Sequence, residues 1–133
     1  MKILAVDDEQ LALEMLVEAI EEACPKAEVL GFLNPNDCLE EAKRGMFDAV
    51  FSDIQMPQMS GLAFAEKLQK IRPDVNIIFI TAYDNHAVEA MNLHASGYLM
   101  KPVTAKKDRK RIKRFTLSCG VGGRIQVSYS MLW

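Results

Sequence analysis

Four short stretches of the 133-residue chain end in side chains that could act together on a phosphoryl group: Asp7-Asp8, Asp53, Thr81 and Lys101-Pro102. Each follows an apolar run: Lys2-Ile3-Leu4-Ala5-Val6, Asp48-Ala49-Val50-Phe51-Ser52, Asn76-Ile77-Ile78-Phe79-Ile80 and Gly97-Tyr98-Leu99-Met100. Three carboxylates brought into one pocket repel, at about 4 kcal/mol for unit charges 4 Å apart in an effective dielectric near 20. A purely structural role offsets none of this, whereas a divalent cation does. Partly hydrated oxygen donors favour Mg²⁺, with Mn²⁺ tolerated. Beside such an ion an Asp carboxylate can act as a nucleophile toward a phosphoryl donor. Lys101 can then neutralise one phosphoryl oxygen, while the Thr81 hydroxyl and the Ala82 backbone N–H reach another. Singly these are turn or cap residues. Recurring at four strand ends, they specify a phosphoryl-accepting, divalent-metal site.

The elements that must position them alternate along the first hundred residues. Lys2–Val6 reads as strand one, and Glu9–Ala23 follows with Leu11, Met15, Leu16, Ala19, Ile20 and Ala23 at helical spacing. Ala27–Phe32 reads as strand two, after Pro25. Asn34 is an N-cap with Pro35 at the first position of a helix that runs to Arg44 and stops at Gly45. Strand three runs to Asp53, and Ser60 caps a helix with Leu62, Phe64, Ala65, Leu68 and Ile71 inward, ended by Pro73. Asn76–Thr81 is strand four, Asp84 caps a helix over Asn85–Ala95, and Gly97–Met100 is strand five. Strands two, three and four are continuously apolar, which predicts parallel strands covered on both faces. Right-handed crossovers then give a doubly wound α/β sheet, whose ligands bind beyond the carboxyl ends of the strands. The candidate residues lie at those ends.

Composition bounds the rest. The length fits one domain, and 50% hydrophobic residues can supply its core. No apolar run approaches the roughly 18 residues of a membrane span. A run of only four apolar residues, Ile3–Val6, precedes the first acidic pair, short of the roughly 7–15 of a signal peptide, so a cytoplasmic protein without a membrane partner is expected. Cys24, Cys38 and Cys119 have no metal or disulfide spacing, and Cys38 reads as a small apolar residue in a helix. His86 and His94 read as surface or boundary residues.

Residues 1–104 resemble the receiver domain of two-component response regulators. The matching motifs are Val6-Asp7-Asp8-Glu9, Asp53 with Met56-Pro57 and Gly61, Thr81-Ala82 and Lys101-Pro102. The resemblance implies a flavodoxin-like sheet of five strands in the order 2-1-3-4-5, with Asp53 as phosphoacceptor for a sensor histidine kinase. It also implies Mg²⁺ on Asp8, Asp53 and the Gln55 carbonyl, with Asp7 contributing through the acidic pair and water. Thr81 and Lys101 would hold the phosphoryl group, Tyr98 would be the aromatic switch partner of Thr81, and Lys101-Pro102 would be cis. Partner choice is expected on the helix Glu9–Ala23. Gln55, two residues after Asp53, is where phosphatases with an Asp nucleophile place a second acid, so slow autodephosphorylation is expected.

The chain changes character near residue 104. Residues 1–104 hold 8 Lys/Arg against 17 Asp/Glu, whereas residues 105–133 hold 8 Lys/Arg and a single Asp. The run Thr104–Phe115 offers few apolar anchors, chiefly Ile112 and Phe115, so an atypical segment is expected in place of a fifth helix. Phe115, Leu117 and Cys119, then Gly120–Gly123, then Ile125, Val127, Tyr129 and Met131 give a hairpin pattern. Residues 105–133 thus read as a basic linker plus a hairpin-like piece that covers the exposed sheet face in its own chain or, by tail exchange in a homodimer, in a partner's. Two alternatives stand beside this reading. One is a DNA-binding transcriptional regulator whose output domain begins near Phe115 and is cut off here; the other is an interaction module that works without phosphate.

Overall fold

The computed structural model describes residues 1–82 and 96–117. Five strands, β1 (Lys2–Val6), β2 (Glu28–Phe32), β3 (Ala49–Asp53), β4 (Asn76–Thr81) and β5 (Gly97–Met100), form one sheet in the order β2-β1-β3-β4-β5. Every pairing is parallel. Three helices intervene, α1 (Gln10–Ala23), α2 (Pro35–Arg44) and α3 (Gly61–Ile71), and a fourth, α4 (Ala105–Leu117), follows β5. The helix expected over Asn85–Ala95 lies outside the described residues, as does the part of the expected hairpin beyond residue 117.

Alternation along the central strands makes two cores. Ile3, Ala5, Phe51, Ile78 and Ile80 face α1 and α4 with Leu16, Ile20, Ile112 and Phe115. Leu4, Val6, Val50, Ile77 and Phe79 face α2 and α3 with Cys38, Phe64 and Leu68. Burial and the charge of Glu41 push the Cys38 thiol up to about 12, so it packs as a neutral apolar group. Two of the expected caps form, Asn34 accepting from Asn36 N at 2.8 Å and Ser60 Oγ from Ala63 N at 3.1 Å, and the third, Asp84, lies outside the described residues. Gly45 ends α2 in extended backbone.

β2 takes the edge position that the order 2-1-3-4-5 implies; Glu28 and Gly31 are exposed, but its apolar residues meet both cores, Val29 on one face and Leu30 and Phe32 on the other. One expectation is corrected: residues 105–117 form a helix packed beside α1 rather than a linker and hairpin arm. The sheet face assigned to a tail is thus covered by α4. Its inward positions are Ala105, Asp108, Ile112, Phe115 and Thr116. Two of these are polar and satisfied locally. Asp108 Oδ2 accepts from Thr104 N at 3.2 Å, while Thr104 Oγ1 accepts from Lys107 N at 3.2 Å, a capping arrangement at the first turn. Thr116 Oγ1 donates to Ile112 O at 2.9 Å. Phe115 lies against β5 where Gly97 leaves room, for a Cβ there would collide with its ring.

Candidate functional site

The carboxyl ends of β1 and β3 deliver the carboxylates. Asp7 and Asp53 are almost fully buried, at 1% and 5% exposure, and Asp8 is exposed. Oxygens from Asp7, Asp8 and Asp53 all lie within 4.8 Å of one another. The turn after β1 is set by Asp7 Oδ1, which accepts from Glu9 N at 2.9 Å. The turn after β3 is set by Asp53 Oδ1, which accepts from Gln55 N at 3.3 Å. The loop then folds back, with Gly61 N donating to Ile54 O at 2.6 Å. A Cβ on Gly61 would collide with Asp53 O and Ile54 Cα, so only glycine closes this loop beneath the site.

Lys101 reaches in from the end of β5, its backbone N–H donating to Thr81 O at 2.8 Å. The Lys101-Pro102 peptide is cis, as the resemblance implies. Lys101 Nζ lies 3.0 Å from Asp7 Oδ2 and 3.3 Å from Asp53 Oδ2. One ammonium cannot neutralise three carboxylates. Burial first, and the charge of Asp7 second, push the Asp53 carboxyl up to about 6, against the pull of Lys101 and the Gln55 N–H. For Lys101 burial acts to lower the pKa, but its contact with Asp7 and the charges of Asp53 and Asp7 outweigh it, and the net direction is up.

This geometry fits a divalent cation. The donor set is all oxygen, one carboxylate is open to solvent, and the buried Asp7 Oδ2 makes no hydrogen bond although it has the Lys101 charge beside it. The structure therefore brings Asp7, Asp8, Asp53 and Lys101 together. Gln55 enters through its backbone, its side chain being exposed. Thr81 is buried at the end of β4, and Ala82 follows it, exposed. Tyr98 is half-buried on β5, paired with Phe79 two positions before Thr81 meets Met100. A residue unnoticed in the sequence joins it: Arg111 of α4 donates to Tyr98 O at 2.7 Å and stacks over its ring at 5.7 Å. Beside the site, Leu11, Ala12, Met15, Ile80, Pro102 and Val103 line an apolar cleft of about 270 Å³ in which Asp7 and Lys101 also appear. Leu11 is 68% exposed at its rim.

A doubly wound parallel sheet with acids and a lysine at adjoining strand ends defines a receiver-type fold. Residues 3–113 match the family model of the response regulator receiver domain, and the chain belongs to that family. It is 38% identical over 114 residues to an uncharacterized response regulatory protein of Vibrio cholerae, covering 84% of this chain and 46% of the relative. It is 32% identical to the transcriptional regulatory protein LytR of Staphylococcus aureus, with 86% of this chain and 46% of that protein covered. The chain thus spans about half the length of these relatives. Among solved structures, the response regulator TrrA of Thermotoga maritima in complex with Mg²⁺-BeF is similar, with TM-score 0.74 and 31% identity. That match covers 86% of this chain and 97% of TrrA. Among the described residues, no helix is long and apolar enough to cross a membrane.

Proposed function

We propose that this receiver accepts a phosphoryl group from a histidine kinase onto Asp53. The observation that carries the reading is the junction of Asp53 with Lys101 at 3.3 Å inside a cluster of three carboxylates. At neutral pH, above its value of about 6, Asp53 is mostly the carboxylate that nucleophilic attack requires. Its oxygen bonds to phosphorus while the donor's P–N bond breaks and that electron pair returns to the imidazole. Lys101, already oriented by Asp7, pairs with a phosphoryl oxygen as Asp53 loses its negative charge to the new anhydride. Thr81 and the Ala82 N–H hold another oxygen. Asp8, Asp53 and the Gln55 carbonyl would hold Mg²⁺, with Asp7 contributing through water. The ion would draw off the charge developing on the transferred group.

Slow hydrolysis follows from Gln55, which is no general base. The exposed Leu11 and the apolar cleft behind it suit α1 as the kinase-docking surface. In the switch, Thr81 moves toward the phosphoryl group and Tyr98 responds, a change that Arg111 would resist. We further propose that the receiver unit extends to about residue 117 and that residues 118–133 begin what joins it to an output. Transcriptional control, which LytR's name gives for that protein, is the output suggested here.

Intact-protein mass after incubation with acetyl phosphate and Mg²⁺ tests the core claim. One added phosphoryl group, absent in Asp53→Asn and absent with EDTA, is expected. A folded protein that takes up none would leave an interaction role without phosphate.

A further inference from the structure

The outward face of α4 is densely cationic. Lys106, Lys107, Arg109, Lys110, Lys113 and Arg114 are exposed, and the one acid of the helix, Asp108, is buried. At 100° per residue these cations sweep an arc of roughly 160°, over a helix about 20 Å long. Lys107 meets Asp108 at 3.5 Å and donates to Met100 O. Lys106, Arg109, Lys110 and Lys113 have no carboxylate within ion-pair distance among the described residues. Glu22 of α1 lies at the edge of the same surface, in a shallow cleft with Lys106, Lys107, Arg109 and Lys110.

Folding does not account for this face. Lys106 with Lys110, Arg109 with Lys113 and Lys110 with Arg114 are like charges at i,i+4, which destabilise a helix. Lys106 and Lys107 also stand in its first turn, where the macrodipole disfavours cations. Apart from Lys107, which holds Met100 O and meets Asp108, the packing of the helix is made by its inward side without them.

We propose that this face docks on the phosphate backbone of duplex DNA without reading its bases. The chemistry of the surface selects among anionic partners. A protein partner, or a second copy presenting Glu14, Glu18, Glu21 and Glu22 of α1, needs an apolar or aromatic centre from which water is excluded. Among residues 105–116 this face has none, because Ile112 and Phe115 point into the core. An anionic membrane would likewise meet no exposed apolar side chain among residues 105–116. Duplex DNA needs neither. It presents one negative charge per roughly 1.7 Å of axis, and binding is driven by release of its counterions. Cations alone position a protein on it and carry no sequence information. The inference is independent of phosphotransfer at Asp53.

The test is fluorescence anisotropy of the full 133-residue chain with a labelled random-sequence 20-bp duplex at increasing salt. Binding in the micromolar range at about 20 mM salt is expected, with log Kd rising with log salt at a slope of about 3 to 4, as four phosphate contacts require. The triple variant Lys106→Glu, Lys110→Glu and Lys113→Glu, shown to be folded by circular dichroism, should bind at least tenfold more weakly. Lys67→Glu, an exposed cation on α3, should bind as the wild type does. Absence of binding by the folded wild type, or equal binding by the triple variant, would overturn the proposal. So would capture by phosphatidylserine vesicles without duplex binding, or self-association that the triple variant abolishes without duplex binding.

Discussion

Two crowds of like charge in this molecule, one at the strand ends and one on α4, are built in opposite ways. At the strand ends, Asp7 and Asp53 are buried with Asp8 nearby, and among the described residues Lys101 is the one cation set among them. On α4 six cations fan outward into water over a packed apolar side. Repulsion in low dielectric is several-fold stronger than at the surface. The inner cluster must therefore be held by the fold and relieved by a ligand. The outer one is tolerated by solvent.

The largest effects should come from the packing that holds each arrangement. Phe115→Ala removes a ring that is 2% exposed and should lower stability by about 3–5 kcal/mol, read from urea denaturation. Gly97→Ala drives a methyl into that ring and should cost about 1–3 kcal/mol in the wild type. Combined with Phe115→Ala it should add little, because the obstructing ring is gone. Additive losses would mean that Gly97 serves some purpose other than making room for Phe115.

Next in size is the charge conflict at Asp53. Its carboxyl stands at about 6, up from an ordinary 3.8, so between these values the folded protein binds more protons than the unfolded one. Stability contributed by this residue therefore falls as pH rises from about 4 to 6, and stays lost above. Asp53→Asn should remove that slope. Without metal at pH 7.5 the variant should be more stable than the wild type by about 1–2 kcal/mol, within a ceiling of roughly 3 kcal/mol. The two should converge below pH 4, and millimolar Mg²⁺ should favour the wild type. A variant less stable than the wild type in EDTA would mean that the Lys101–Asp53 contact outweighs burial and Asp7.

The site was legible in the sequence because its residues are anchored to strand ends. Apolar runs fix where the strands stop, and the side chain after the last residue has only one place to go. Asp7, Asp53 and Lys101 follow that rule. The edge position of β2 came only from the family resemblance, since Val29, Leu30 and Phe32 make an apolar run whichever place the strand takes in the sheet. The helix α4 was not legible. Its inward row contains Asp108 and Thr116, which count against a buried face until their local hydrogen bonds are known. Arg111 was missed for a related reason: its stacking on Tyr98 depends on α4 lying beside β5, which no local pattern reports.

The smallest effect is the one that separates the two charge clusters most directly. Lys106→Glu changes an exposed residue in the first turn of α4, four residues from Lys110. It replaces a cation–cation pair by an attractive pair in the favourable Glu-before-Lys order, worth about 0.2–0.5 kcal/mol. It also puts a negative charge at the positive end of the helix, which adds a contribution of about 0.3–1 kcal/mol at low ionic strength. Both terms have the same sign, so the variant should be slightly more stable than the wild type in dilute buffer, read from thermal denaturation. Both are screened, so the gain should shrink toward zero in about 1 M salt, where the Debye length is near 3 Å. Asp53→Asn, acting where salt hardly penetrates, should keep most of its effect under the same conditions. If the two variants responded alike to salt, the inner cluster would be solvated like the outer one, and burial would not be what raises the Asp53 carboxyl.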